Sequence, residues 1–230
     1  MFNLLMMLDP LYWILIGPAL LLALVAQLMV KGAFAKWSRE PNRSGISGAQ
    51  AAREILRRNG LANVDVAPAH GLLSDHYDPT RRIIRLSPDV YQGRTVAAVG
   101  VAAHETGHAI QHARGFVPMR IRSALYPVVS IGSALAFPII FFGMILGMLG
   151  LMKVGIVLFA GVVAFQIITL PVEFDASRRA KRILAETGIV TGPQEARGVR
   201  AVLNAAALTY VAAAIAALAQ LLYFILRARR

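Results

Sequence analysis

The chain has 230 residues, 57% of them hydrophobic and 16% charged, with a formal net charge of +12 and a mean hydropathy of +0.60. Soluble domains carry about a quarter charged residues and no long apolar runs, so this composition excludes a wholly solvated chain and points to one compact membrane protein. There is no cysteine, which excludes disulfides, thiolate metal ligands and a cysteine nucleophile.

The positive charge invites a nucleic-acid reading, but its placement argues otherwise. Lys31, Lys36, Arg39 and Arg43 follow one apolar run, and Arg178, Arg179, Lys181 and Arg182 follow another. Juxtamembrane positive charge marks the cytoplasmic face and meets anionic lipid there. No nucleic-acid motif accompanies it, so the expected partner of this charge is the lipid bilayer with its anionic lipid, with no nucleic acid. A membrane-protein adaptor or a second copy of the chain are further candidate partners.

In chain order, residues 1–31 form an N-terminal transmembrane anchor. Its apolar run, Leu11 to Val30, matches the roughly 20 residues a bilayer core requires. A cleaved leader is disfavoured by Asp9, by the missing basic residue before it and by the length of the run. Residues 32–123 are mostly polar and form the extramembrane portion. Ser47 caps an expected helix from Gly48 to Asn59 with Gly60 as its stop signal, and Val64 to Pro68 is an expected strand. Asp75-His76-Tyr77-Asp78-Pro79-Thr80 reads as a turn before a strand from Arg82 to Leu86, and Arg94 to Ala113 reads as a helix. Residues 124–171 form a transmembrane hairpin, interrupted by Pro127 and Pro138 and turning near Gly147 to Gly150. Residues 172–207 hold a basic helix from Glu173 to Glu186 and a connector with a helix start at Gly192-Pro193. Residues 208–230 are the last span.

This layout is a mainly α membrane protein with about four transmembrane helices and a small α+β portion. Two spans separate segments 94–115 and 173–186, so an even number of crossings returns them to one side. The basic flanks make that side the cytoplasmic one, in a multi-pass membrane protein. Arg227, Arg229 and Arg230 then lie outside, an exception to the positive-inside rule that the sequence does not explain.

Within the expected helix stands His104-Glu105-Thr106-Gly107-His108. Two histidines four apart lie one turn above each other on one helix face, close enough for both imidazoles to bond one Zn2+ at about 2.0–2.1 Å. Glu105 sits on the adjacent flank, where a carboxylate can take the proton of a zinc-activated water as general base. Gly107 and Ala103 leave space beside the ligands. Two histidines and one carboxylate leave a fourth zinc position open, as catalytic sites require. Glu173 is the candidate third ligand and Asp175 the alternative metal ligand; the bland reading is that both merely complement a helix N-terminus. His70, His76 and His112 read as turn or surface histidines, although His76 and Tyr77 are also candidates for stabilising the oxyanion. Arg178 and Arg179 read as lipid-facing or salt-bridged.

The blocks Leu73-Ser74-Asp75-His76-Tyr77-Asp78-Pro79, Arg85-Leu86-Ser87-Pro88, Val101 to Gln111 around the two histidines, Arg120-Ile121-Arg122-Ser123, Glu173 to Ala180 and Leu203 to Tyr210 occur together and in order. With them the chain resembles the YugP-type neutral zinc metallopeptidases of bacterial membranes. More distantly it is similar to the HtpX and CAAX-processing membrane proteases, which are gluzincins, and the resemblance implies a minigluzincin-like zinc-peptidase portion. In those proteins a glutamate opening Glu-x-x-x-Asp is the third ligand, and the aspartate supports a zinc-binding histidine. Glu173 matches the glutamate. Ser177 stands in the aspartate's place, which leaves the histidine's support open, with Asp175 or another residue to supply it. The resemblance also implies that an edge strand, here Ile83, Ile84 and Arg85, pairs with extended substrate.

The implied activity is hydrolysis of membrane-associated or unfolded polypeptides by a membrane-bound zinc metalloendopeptidase. An intramembrane protease of the site-2 type shares the histidine motif, but the apolar stretch before His104 begins near Thr95, too short to span a bilayer. A non-catalytic membrane scaffold or adaptor with a structural zinc site is the alternative outside enzymes. Glu105 argues against it, because a structural site has no use for that carboxylate.

Overall fold

Four long apolar stretches dictate the architecture. The computed structural model describes residues 9–71 and 74–229; residues 1–8 of the anchor segment, Leu73 of the motif blocks and Arg230 lie outside the described residues. The chain order is α1 (Pro10–Trp37), α2 (Gly48–Arg58), β1 (Asp65–Pro68), β2 (His76–Asp78), β3 (Ile83–Leu86), α3 (Pro88–Tyr91), α4 (Val96–Ala113), α5 (Val117–Ile145), α6 (Leu149–Glu186) and α7 (Pro193–Ala228). Helices α1, α5, α6 and α7 are each long and apolar enough to cross a membrane. The protein is therefore mainly α, with one small sheet among the described residues.

Local signals fix most boundaries. Ser47 and Gln50 form a reciprocal capping box that starts α2, and Gly60, at φ +72°, follows its end. The Thr95 side chain accepts the Ala98 N–H and opens α4.

Three expectations are corrected. Residues His76–Asp78 are a strand rather than part of a turn, and the turn is confined to the following residues, where Asp78 Oδ1 accepts the Thr80 and Arg81 N–H groups. β3 is the central strand, parallel to β1 and antiparallel to β2. Both of its sides are already hydrogen-bonded, so Ile83, Ile84 and Arg85 cannot accept a substrate strand; the sheet edges are β1 and β2. Finally, Glu173 does not begin a helix. α6 runs continuously from Leu149 through Pro171 to Glu186, just as α5 runs through Pro127 and Pro138. Glu173 and Asp175 thus lie more than twenty residues into a helix, beyond the reach of an N-terminal dipole.

The described chain forms two compact units. One comprises residues up to Ala26, Arg120–Leu170 and the described residues from Thr209 onward. Its core is Ala136, Ile140, Met152, Phe159, Val163, Tyr223 and Phe224. Its helices approach closely at glycine: a Cβ on Gly143 would lie 2.6 Å from the Met152 backbone nitrogen. Large apolar side chains face outward, with Val128 69% and Val157 71% exposed, as lipid-facing side chains do.

The other unit comprises Gln27–Met119 and Pro171–Leu208. α4 is its spine, with nearly every residue from Val96 to Gln111 buried or half-buried. One cluster packs Trp37, Ile55, Val99, Ile110, Leu184 and Leu203; another packs Leu56, Tyr77, Ile84, Leu86, Val90 and Val172.

Candidate metal centre

Small residues bring the site together. A Cβ on Gly107 would lie 2.8 Å from the Ala176 carbonyl oxygen and 3.2 Å from its Cα. Only glycine allows α4 to lie this close to the backbone of α6. Ala176 and Ala180 on the facing helix are wholly buried, and this contact delivers Glu173 to the histidines.

His104, His108 and Glu173 each contribute one donor atom to a group whose members all lie within 4.8 Å of one another. Glu173 Oε2 is 3.2 Å from His104 Nε2 and 3.5 Å from His108 Nε2. A tetrahedral ion with bonds of about 2.0–2.1 Å holds its donors about 3.3–3.4 Å apart. The three residues therefore fit zinc in donor chemistry, and the two carboxylate–imidazole distances fit it in spacing. The imidazoles meet edge to face, with centroids 4.8 Å apart and an interplanar angle of 83°. Glu173 is 1% exposed and Glu105 8%, so the carboxylates are withheld from bulk water.

The opposite ring nitrogens are tied back. His104 Nδ1 lies 3.1 Å from Ser177 Oγ, and His108 Nδ1 lies 3.0 Å from Gln111 Oε1. The Gln111 amide nitrogen donates to the Val172 carbonyl at 2.8 Å and to Asp175 Oδ2 at 2.9 Å. Both of those partners are acceptors, so the amide orientation is fixed and its oxygen must face His108. An oxygen there accepts the Nδ1 proton and leaves the lone pair on Nε2, the nitrogen aimed at Glu173. Asp175 is held in turn by Arg178 at 2.6 Å and Arg179 at 2.5 Å.

Each residue singled out from the sequence now has a place. Asp175 stands behind Gln111, with both oxygens engaged. Ser177 supports His104 directly, and Gln111 links Asp175 to His108; this division answers the question the missing aspartate leaves open. Arg178 and Arg179 are salt-bridged. The Tyr77 hydroxyl meets His112 Nδ1 at 2.8 Å, and His76 Nδ1 lies 2.8 Å from the Ser74 carbonyl. Burial pushes the Tyr77 phenol above its ordinary pKa while Arg82 pulls it down, with a net rise that favours the neutral phenol. Burial likewise pushes the Asp75 carboxyl up, against hydrogen bonds from Ser87. Gln111 is wholly buried, and sequence reasoning missed its role. The one available signal was its spacing, three residues after His108 on the same helix.

Comparison with known proteins agrees with this geometry. The family model described as "Putative neutral zinc metallopeptidase" matches residues 12–229. The chain is 50% identical over 209 residues to "Putative membrane protease YugP" of Bacillus subtilis (strain 168), covering 90% of this chain and 92% of that protein. No solved structure matches.

Proposed function

The chain belongs to the neutral zinc metallopeptidase family, and from that premise we propose that it is a membrane-bound zinc metalloendopeptidase acting on membrane-associated or unfolded polypeptides. The observation that carries this reading is the convergence of His104 Nε2, His108 Nε2 and Glu173 Oε2 with both Nδ1 atoms held from behind. Zinc bound there supplies a Lewis acid that acidifies water and polarises a peptide carbonyl.

The chain supplies the rest. Gln111 holds His108 in the tautomer that presents Nε2, and Ser177 orients the His104 ring through its Nδ1. Glu105 is the general base: its carboxylate takes the proton of the attacking water and returns it to the leaving amine. Its burial sharpens the interaction, because a water-poor site strengthens every charge within it. With β3 enclosed, an extended polypeptide adds to the open edge of β2, which packs against α4 and carries His76 and Tyr77. Backbone pairing of this kind depends little on substrate side chains, which suits unfolded substrates.

The variant Glu105→Gln tests the mechanism. It should retain zinc as wild type does and lose about 10²–10⁴-fold in cleavage of an unfolded reporter polypeptide. Zinc-loaded wild type that cleaves no polypeptide would contradict the enzyme reading and favour a scaffold.

For localisation, we propose the bacterial inner membrane, with segments 32–123 and 172–207 cytoplasmic and their basic residues on anionic lipid. The chain lacks cysteine, so single Arg43→Cys and Arg182→Cys variants report cleanly. Both should be protected from an impermeant thiol reagent in intact cells and labelled after lysis. Labelling of either in intact cells would reverse the orientation.

A further inference from the structure

Away from the metal centre, the second unit holds a cavity of about 380 Å³ lined by Lys181 and Leu184 of α6, Val190 and Gly192 of the connecting loop, and Ala196 and Arg200 of α7. That volume is in the range of small-ligand sites. We propose that this cavity is a binding site for a phosphate group, held by Lys181 and Arg200.

Three observations carry the assignment. First, charge is arranged there without its complement. Neither Lys181 nor Arg200 is within ion-pairing distance of a carboxylate among the described residues. Lys181 instead donates to the neutral Asn204 side chain at 3.2 Å. A neighbouring cavity lined by Arg58, Arg114 and Arg182 differs, because Glu54 pairs with Arg58 and Glu186 approaches Arg182. Two of the three arginines of that cavity thus have a carboxylate beside them, whereas neither Lys181 nor Arg200 has one.

Second, a third cation, Arg43, lies against Gly192 of the wall, although it does not itself line the cavity and its charge also acts on Glu195. A Cβ on Gly192 would sit 3.2 Å from Arg43 Nη1, so the missing side chain is what lets this guanidinium lie against the loop. Third, the nearby carboxylate is already committed. Glu195, 4% exposed, accepts the Arg43 N–H at 2.7 Å, the Thr191 N–H at 3.1 Å and the Gly192 N–H at 3.3 Å. It caps the start of α7 from within, so an incoming anion would meet the side-chain cations rather than the helix end. Phosphate suits such a set, since its several oxygens accept from guanidinium and ammonium together. The apolar wall of Leu184, Val190 and Val199 can take carbon attached to that phosphate.

The test titrates the full chain, in neutral detergent, with dioctanoyl phosphatidylglycerol and with inorganic phosphate. Lipid uptake is counted by native mass spectrometry, and phosphate binding is read by thermal shift and competition. Lys181→Gln/Arg200→Gln should bind about tenfold or more weakly than wild type. So should Ala196→Leu, which fills the cavity and keeps every charge. Lys153→Gln/Arg229→Gln removes two exposed cations outside the cavity and outside segments 32–123 and 172–207, and should bind as wild type does. Phosphatidylglycerol that inorganic phosphate fails to displace assigns the site to a lipid headgroup; displacement assigns it to free phosphate. Undiminished binding by Ala196→Leu, equal losses in the two double variants, or no binding of either anion would overturn the proposal.

Discussion

The two compact units bury opposite things. The unit built from residues up to Ala26, 120–170 and 209–229 buries a cluster of aliphatic and aromatic side chains and turns others outward. The unit around α4 buries Glu105, His108, Gln111, Glu173, Asp175 and Ser177. Buried polar groups are costly unless each has a partner, and here they support one another around the place where three donor atoms meet. The first unit therefore tolerates apolar substitutions on its outward side chains, away from close contacts such as Gly143, whereas the second depends on particular atoms.

The largest contrast lies between the two histidine supports. Gln111→Leu removes the amide that joins His108, Val172 and Asp175: His108 Nδ1 loses its acceptor and its link to α6, while Asp175 keeps Arg178 and Arg179. Zinc affinity, measured by chelator competition, should fall toward the upper part of the about 10–100-fold range for supporting residues. Ser177→Ala strands only His104 Nδ1 and should fall near the lower end of that range. Equal losses in the two variants would erase the distinction. At the other extreme, Val157→Ala trims an outward apolar side chain. It should leave zinc content unchanged and shift unfolding by less than about 0.5 kcal/mol. A larger loss would mean that this outer face packs on a partner chain rather than on lipid.

Much of this was legible in the sequence, for identifiable reasons. The i, i+4 spacing of His104 and His108 has one geometric meaning on a helix. The apolar runs have one meaning in length. Glu173 could be nominated because two spans return its segment to the side of the histidines. What stayed hidden depends on tertiary contact. Pro171 looks like a break, yet α6 continues through it, so helix continuity there is set by packing rather than by local propensity. Four residues of β3 read the same way whether central or at an edge; only the pairing of β1 and β2 decides. The Gln111 bridge ends on a backbone carbonyl, that of Val172, and a carbonyl carries no side-chain signature at all.

The central claim is that Glu173 completes a metal site with His104 and His108. Elemental analysis of purified wild type, Glu173→Ala and Asp175→Ala after identical zinc loading and dialysis tests it most directly. The account predicts about one zinc per chain in wild type, most of it retained in Asp175→Ala, and little or none in Glu173→Ala, consistent with a three-ligand site. Stoichiometric zinc in Glu173→Ala would contradict it.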